Sequence, residues 1–202
     1  MQWKHPFTAL VAGPTGSGKT VFTAKLIEKA SVMIEPPPLK ILWCYGVYQK
    51  SFQDMRNVEF HEGIPDINLF DGSQRTLLIL DDLMQQADDS VSLLFTRDSH
   101  HRNLSVIFLT QNIFHSSKQA RSMSLNTHYL VLFKNPRDLK QISVLAGQMY
   151  PSKSKFLVEA FRDATATPFS YLLIDLKADT DEKLRVRSNI FPGETPYVYV
   201  PK

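Results

Sequence analysis

The sequence has only one cysteine and lacks any long apolar run. Cys44 cannot form an internal disulfide, which fits a reducing compartment, and we expect it to act as a small hydrophobe inside a strand. No stretch approaches the ~20 apolar residues that a membrane-spanning helix needs. No small-residue cleavage site follows the N-terminal MQWKHPFTALVAG. We therefore expect an intracellular protein that is neither secreted nor inserted in a membrane.

Internal repeats, low-complexity linkers and a clear second-domain boundary are also lacking. The 202 residues, 43% of them hydrophobic and 21% charged, have the length and composition of one globular domain. We expect one domain over 1–202, with a core at about 7–165 and a C-terminal hairpin extension at about 168–191. The net charge of +3 permits contact with nucleic acid but does not demand it.

Short apolar runs alternate with helical patterns along the chain. The runs are apolar at consecutive positions, which predicts strands buried on both faces of a mainly parallel sheet. They cover 7–12, 40–45, 76–80, 105–109 and 128–133, with a shorter strand at 58–61. Helical spacing is present over 20–30, 89–100 and 138–150. The sequence predicts an α/β domain with helices flanking the sheet, and an antiparallel hairpin over 169–176 and 183–190.

A phosphate-binding motif follows the first predicted strand. Residues 13–20 read GPTGSGKT and match G-x-x-x-x-G-K-[ST] at every specified position. The glycines let backbone N–H groups surround an anion, Lys19 would reach the β- and γ-phosphates, and the Thr20 hydroxyl would hold Mg²⁺. A chance match in a glycine-containing turn is the alternative. The predicted cofactors are ATP and Mg²⁺, and the predicted cofactor-binding residues are Gly13, Pro14, Thr15, Gly16, Ser17, Gly18, Lys19 and Thr20.

A pair of carboxylates ends the apolar run LLILDD at 77–82. Adjacent aspartates at the carboxyl end of a strand repel each other, which favours distinct roles around a cation. In a hydrolytic site Asp81 would orient the Mg²⁺ shell and Asp82 would polarise the attacking water. The alternative is that Asp82 is the N-cap of the segment that follows.

A carboxamide ends the apolar run SVIFLTQN at 105–112. Gln111 is either a simple strand cap or a residue that faces the phosphates. An amide can donate to a phosphate oxygen or hold the attacking water, whereas the phosphate would repel a carboxylate and an alkyl group would not respond to the phosphate.

The spacing of the motifs narrows the class of P-loop protein. The predicted strands at 40–45 and 58–61 separate the phosphate loop from LLILDD, and no N-K-x-D guanine motif is present. This arrangement resembles the additional-strand, catalytic-acid class of P-loop ATPases. In its RecA-like branch, the resemblance places the strand that ends at Gln111 beside the phosphate-loop strand.

The chain also resembles the FtsK/HerA group of DNA-translocating ATPases, specifically viral genome-packaging ATPases of the poxvirus-like and polinton/adintovirus-like type. The resemblance covers roughly residues 7–165. It is carried by GPTGSGKT, LLILDD, FTRDSHHRNLSVIFLTQNIF at 95–114 and FKNPRDLKQISVLAGQMYP at 133–151. It implies a ring, usually a hexamer, that hydrolyses ATP and moves double-stranded DNA into a capsid. The implied partners are DNA and capsid or portal-vertex proteins, in the cytoplasm or nucleus of a host cell.

Such rings place an arginine of one subunit in the neighbour's site, so the resemblance adds a catalytic arginine in trans. Arg97 and Arg102 are the candidates, and Arg137 is the third. The adjacent His100 and His101 invite a zinc interpretation, but they point in different directions and no third ligand is suitably spaced, so we do not expect a metal there.

Two basic segments are candidate DNA contacts. Lys118 and Arg121 follow Gln111 in NIFHSSKQARSMS, where they either touch DNA phosphates or form the solvated face of an ordinary helix. Lys183, Arg185 and Arg187 form a stripe on the predicted hairpin, which we interpret as solvated protection of a sheet edge.

Three other functions use the same phosphate loop. A small-molecule kinase would need an arginine-rich lid and an acceptor site. A nucleotide-switched binding module would turn over negligibly, and a helicase or translocase of a mobile element would differ only in its partner.

Overall fold

The computed structural model describes residues 1–83, 89–95, 102–113, 118–137 and 139–202. Predicted features at His100, His101 and Arg97 lie outside these residues. The strands are β1 (Trp3–Lys4), β2 (Thr8–Ala12), β3 (Ile34–Glu35), β4 (Lys40–Tyr45), β5 (Glu59–Glu62), β6 (Thr76–Asp81), β7 (Leu104–Thr110), β8 (Tyr129–Phe133), β9 (Tyr171–Asp175), β10 (Val186–Ser188) and β11 (Tyr197–Tyr199). The α-helices are α1 (Lys19–Glu28), α2 (Ala30–Met33), α3 (Asp89–Leu93), α4 (Lys118–Leu125), α5 (Leu139–Met149) and α6 (Ser154–Ala164).

Among the described residues, nine strands form one sheet in the order β11-β10-β9-β8-β2-β7-β6-β4-β5. The pairings from β8 through β5 are all parallel, and β8-β9, β9-β10 and β10-β11 are antiparallel. The predicted mainly parallel sheet is therefore confirmed, as is the antiparallel pair after it. β7 lies between the strand that leads into GPTGSGKT and the strand that ends in Asp81, as the RecA-like resemblance implies.

Helices cover both faces of this sheet. Alternate residues of β7 show the division, because Val106 and Phe108 belong to one buried cluster while Ile107 and Leu109 belong to the other. The first cluster includes buried residues of α5 and α6, and the second includes those of α1 and α2. Strands buried on both faces explain the consecutive apolar runs in the sequence. Cys44 is fully buried in β4, where burial raises the pKa of its thiol to about 12.

The basic stripe of Lys183, Arg185 and Arg187 was interpreted wrongly as protection of a sheet edge. β10 covers only Val186–Ser188 and lies between β9 and β11, so it is not an edge strand. The Arg185 guanidinium turns back to donate to the carbonyls of Asp175 at 2.7 Å and Lys177 at 3.1 Å, and it also pairs with Glu182 at 2.5 Å. Arg185 therefore fastens the β9-β10 connection instead of repelling a neighbouring chain.

Several elements were absent from the prediction. Helix α6 buries its apolar face in the cluster next to α5, and β11 extends the antiparallel part of the sheet. A short parallel pair, β1 with β3, also lies apart from the main sheet. None of the helices in the described residues combines the length and apolarity needed to cross a bilayer.

The N-terminal segment is fixed to β7 by a histidine. The Asn103 side-chain oxygen accepts from His5 Nε2 at 2.9 Å, so His5 Nδ1 is free to accept from the Ser105 hydroxyl at 2.6 Å. Burial lowers the pKa of His5, and the positive charge of Arg75 lowers it further. The hydrogen bond to Asn103 acts in the opposite direction but does not reverse the shift. The neutral imidazole is therefore the form that the folded state favours.

This arrangement predicts a loss of stability in acid that depends on His5. Because its folded pKa lies below the unfolded value of about 6.5, the unfolded chain binds more protons as pH falls through that value. We expect the stability advantage of the wild type over His5→Gln to be largest above pH ~7 and to shrink towards pH ~5. Urea unfolding of both proteins at several pH values measures this difference. An advantage that does not change with pH would contradict the prediction.

Candidate nucleotide-binding site

The phosphate loop connects β2 to α1 and is attached at its start to β7. The Gly13 N–H donates to the Thr110 carbonyl at 3.1 Å. A Cβ at Gly13 would lie 2.6 Å from Phe133 Cβ and 2.7 Å from Ser17 Oγ, so no side chain fits there. The close packing explains why this position requires glycine and fixes where the loop begins.

The N-terminus of α1 is open to an anion. Its N-cap, Gly18, has φ 109° in the left-handed region and offers no side-chain cap, so no side chain at that position occupies the first-turn N–H groups. Beside them, Ser17 Oγ is buried and has no hydrogen-bond partner among the described residues. A helix of ten residues adds about half a positive charge at this end. These unpaired donors fit a phosphate group.

Lys19 is held over the loop. Its Nζ donates to the carbonyls of Gly13 at 2.6 Å and Pro14 at 3.0 Å. Burial lowers the pKa of Lys19, while the negative charges of Asp81 and Asp82 act in the opposite direction. The structure thus brings the predicted lysine within electrostatic reach of both predicted carboxylates. Thr20 follows it in the first turn of α1 and is half-buried.

Asp81 is the buried member of the carboxylate pair. It ends β6 with only 6% of its surface exposed, and burial raises its pKa to about 6, against the charge of Lys19. The Gln49 amide donates to Asp81 Oδ2 at 3.4 Å from the segment that follows β4. A buried carboxylate facing a cation and an amide donor is suited to holding a divalent ion.

Asp82 is the exposed member and has an unusual backbone. Its φ is 56°, in the left-handed region, and its N–H donates to the Leu109 carbonyl at 3.4 Å. The segment that Asp82 would cap in the alternative interpretation includes residues 84–88, which lie outside the described residues. Left-handed backbone outside glycine is uncommon and concentrates at functional sites, although aspartate tolerates it better than most residues.

Gln111 emerges at the same edge of the sheet. It is exposed, follows β7 directly and lines a small cavity of about 20 Å³ together with Gly13 and Asn135. Two residues later, the Ile113 N–H donates to Gln141 Oε1 at 2.9 Å, which links this segment to α5. The structure therefore places Gln111 against the start of the phosphate loop.

The two candidate arginines that the structure describes lie in different places. Arg102 precedes β7 at the opposite edge of the sheet, where its guanidinium donates to the carbonyls of Ile67 at 3.1 Å and Phe70 at 2.8 Å. Arg97 lies outside the described residues. Arg137 is exposed in the turn after β8, and its N–H donates to Asn135 Oδ1 at 3.2 Å.

The basic segment after Gln111 is helical where it is described. Arg121 lies in α4 with an exposed side chain, and Lys118 begins that helix. Residues 114–117 are outside the described ranges. The helical form matches one of the two alternatives for this segment, and a contact with DNA stays a prediction.

Two site residues were missed by the sequence analysis. Gln49 contacts Asp81, and Asn135 shares the small cavity with Gln111. Both are carboxamides that follow a parallel strand, as Gln111 does. Because carboxyl ends of parallel strands meet at one edge, applying the same reasoning to β4 and β8 would have found them.

Comparisons with known proteins identify the fold. No protein-family model matches the chain, and no curated protein matches it. Among solved structures, the genome packaging NTPase B204 from Sulfolobus turreted icosahedral virus 2, in complex with ATPγS, is 14% identical with a TM-score of 0.51. That match covers 97% of this chain and 98% of B204.

A second match is the cytoplasmic domain of the type VII secretion ATPase EccC from Thermomonospora curvata, at 13% identity and a TM-score of 0.54. It covers 89% of this chain but only 26% of EccC. At these identities the likeness concerns the fold alone. Together with the sheet order, it shows that the chain has the RecA-like fold of P-loop ATPases, with an antiparallel extension at its C-terminal end.

Proposed function

We propose that the protein hydrolyses ATP to ADP and phosphate. One observation supports this proposal most strongly. The uncapped N-terminus of α1, Lys19, the buried Asp81 and the exposed Asp82 lie together at one edge of the sheet. A site for binding alone does not need the second acid. Asp82 is exposed and free to act on water, while Asp81 is buried beside Lys19.

In the proposed reaction, different residues bind the phosphates, activate the water and hold Mg²⁺. The N–H groups of the loop and Lys19 hold the triphosphate, Asp82 polarises a water and takes up its proton, and Gln111 orients that water or a γ-phosphate oxygen. The water oxygen forms a bond to the γ-phosphorus as the bond to the β-γ bridging oxygen breaks, and ADP leaves. Thr20 and Asp81 supply hard oxygen ligands suited to Mg²⁺, which would neutralise phosphate charge when bound.

We further propose that hydrolysis drives double-stranded DNA into a viral capsid. Support comes from the motif pattern and from the likeness to B204, which spans nearly the whole of both chains. The proposed assembly is a homo-oligomeric ring, with a hexamer favoured, that contacts capsid or portal-vertex proteins in the cytoplasm or nucleus of the host at sites of viral assembly.

The ring requires an arginine in trans. Arg97 and Arg102 are the proposed residues, with Arg137 as the third candidate. To reach the site of a neighbouring subunit, Arg102 would have to break its hydrogen bonds to two backbone carbonyls. Arg137 is exposed and lies at the edge of the sheet that holds the phosphate loop.

Asp82→Asn tests the hydrolytic assignment. An amide has the size of the carboxylate but cannot take a proton from water, so we expect kcat to fall by about 10² to 10⁴. Affinity for ATP should change little, because the loop and Lys19 bind the phosphates. Steady-state hydrolysis and calorimetric binding measure the two effects, with Asp54→Asn as an exposed aspartate control. Retained turnover in Asp82→Asn would identify a different base, and negligible turnover in the wild type would identify a nucleotide-switched binding module.

Gln111→Ala tests the third element of the site. We expect ATP binding to persist while hydrolysis, or its stimulation by DNA, falls by at least about tenfold, because the amide acts on the attacking water or the γ-phosphate. The matched control is Asn112→Ala, which removes an exposed carboxamide from the next position. If both variants keep full DNA-stimulated hydrolysis, Gln111 is a strand cap.

The motor proposal is tested by measuring ATP hydrolysis with and without double-stranded DNA, alongside the mass of the assembly at the same protein concentration. We expect DNA to stimulate hydrolysis and the active species to be a ring. An arginine in trans typically raises the rate by ~10³ to 10⁵, so a stable monomer should be slow. A monomer as fast as the ring would contradict the trans arginine. Absence of both stimulation and assembly would contradict the motor, and phosphoryl transfer to a metabolite would indicate a kinase.

A further inference from the structure

The antiparallel extension returns the chain to the phosphate loop. β9 runs antiparallel to β8 with Phe133 opposite Tyr171, so the segment just before β9 lies at the edge where β8 ends. That edge also holds the carboxyl end of β2, where the phosphate loop begins. The connection from α6 to β9 thus lies beside the nucleotide site, although it is distant from the site motifs in sequence.

This connection places Phe169 against the loop. A Cβ built at Gly18 would lie 3.4 Å from Phe169 Cδ1 and 3.5 Å from Phe169 Cβ. The aromatic side chain therefore lies beside the N-cap of α1, at the helix end that carries the first backbone N–H groups. The ribose alone separates the base of a nucleotide from its phosphates, so a side chain beside this loop is a candidate for contact with the base.

Phe169 has two features that packing alone does not explain. Its residue surface is 71% exposed, which is unusual for a large aromatic residue, and its φ of 64° lies in the left-handed region, which is strained for a bulky residue. A turn holds it in place, because the Ser170 hydroxyl donates to the Thr167 carbonyl at 2.6 Å. Strain retained for an exposed apolar side chain points to a role in contacting a ligand.

Buried rings support the neighbouring residues. Phe22 of α1 packs edge-on against Tyr171 at 4.7 Å between centroids, and Phe133 lies 5.9 Å from Tyr171. The Tyr171 hydroxyl in turn accepts from the Ile190 N–H at 3.0 Å. Tyr171 follows Phe169 by two residues, so the turn that carries Phe169 is anchored on a packed aromatic cluster.

We propose that Phe169 is the base-contacting residue of this site, its ring providing a surface on which the base of the bound nucleotide stacks. The inference rests on the proposed function and adds the part of the ligand that the phosphate motif leaves unassigned. A ring face stacks with any base and makes no directional hydrogen bond, so the contact strengthens binding of ATP and GTP alike.

The test compares a ligand that has a base with one that has none. Phe169→Ala should weaken binding of ATP about tenfold, in line with about 1.4 kcal/mol from the ~1 to 3 kcal/mol typical of base-aromatic stacking. It should leave the affinity for inorganic tripolyphosphate unchanged. Phe169→Tyr, which keeps the ring, should bind ATP like the wild type. Calorimetric titration of each protein with both ligands in Mg²⁺ buffer gives the affinities.

A matched control and two opposite outcomes make the test decisive. Leu69→Ala removes an apolar side chain from a residue that is 74% exposed and lies near Arg102 at the opposite edge of the sheet. It should affect neither ligand. If Phe169→Ala weakens ATP and tripolyphosphate equally, Phe169 acts by packing the loop, and if it weakens neither there is no base contact. Either result overturns the inference while the proposed function stands. A wild type that binds neither ligand overturns both.

Discussion

The whole site depends on the parallel hydrogen-bond ladder that joins β2, β7 and β6. In this register Ala12 pairs with Thr110 and Leu109 pairs with Asp81, so the three strands stop at nearly the same level. The residues that follow them then meet at one edge, although about 100 positions separate the first strand from the second. A slip of one residue in β6 would turn the Asp81 side chain to the other face of the sheet. Backbone pairing, more than any side-chain contact, is what assembles the carboxylates, the glutamine and the phosphate loop.

The same burial that fixes the register disfavours the charged groups at its end. Asp81 completes a strand whose residues are all buried, and this burial raises the pKa of its carboxyl against the nearby charge of Lys19. Asp82 and Phe169 add unfavourable left-handed backbone at the same edge. Such local costs persist only where the surrounding packing is strong enough to offset them. Here two extensive apolar clusters, one on each face of the sheet, provide that stability.

The predictable and unpredictable parts of the structure differ in the range of the interactions that form them. The central strands were predictable because burial on both faces leaves a consecutive apolar run, and the phosphate loop because its geometry requires specific residues in sequence. Helix α6 carries helical periodicity in Leu157, Ala160, Phe161 and Ala164, so its absence from the prediction does not reflect a missing signal. β10 and β11 are different. Each has three residues, and only tertiary pairing decides which of the two is the outermost strand of the sheet.

Gly18 shows why the C-terminal part of the chain is structurally inseparable from the phosphate loop. Its φ of 109° favours glycine on conformational grounds alone. A side chain there would also lie 3.3 Å from the Phe133 ring and 3.4 Å from that of Phe169, which approach from β8 and from the turn before β9. The left-handed conformation of Gly18 leaves the first N–H groups of α1 without a side-chain cap. The two aromatic residues beside it, Phe133 and Phe169, follow it by more than 100 positions in the sequence. Because β9 pairs with β8 in the opposite direction, the connection into β9 must return to this edge, so the antiparallel extension begins beside the phosphate loop.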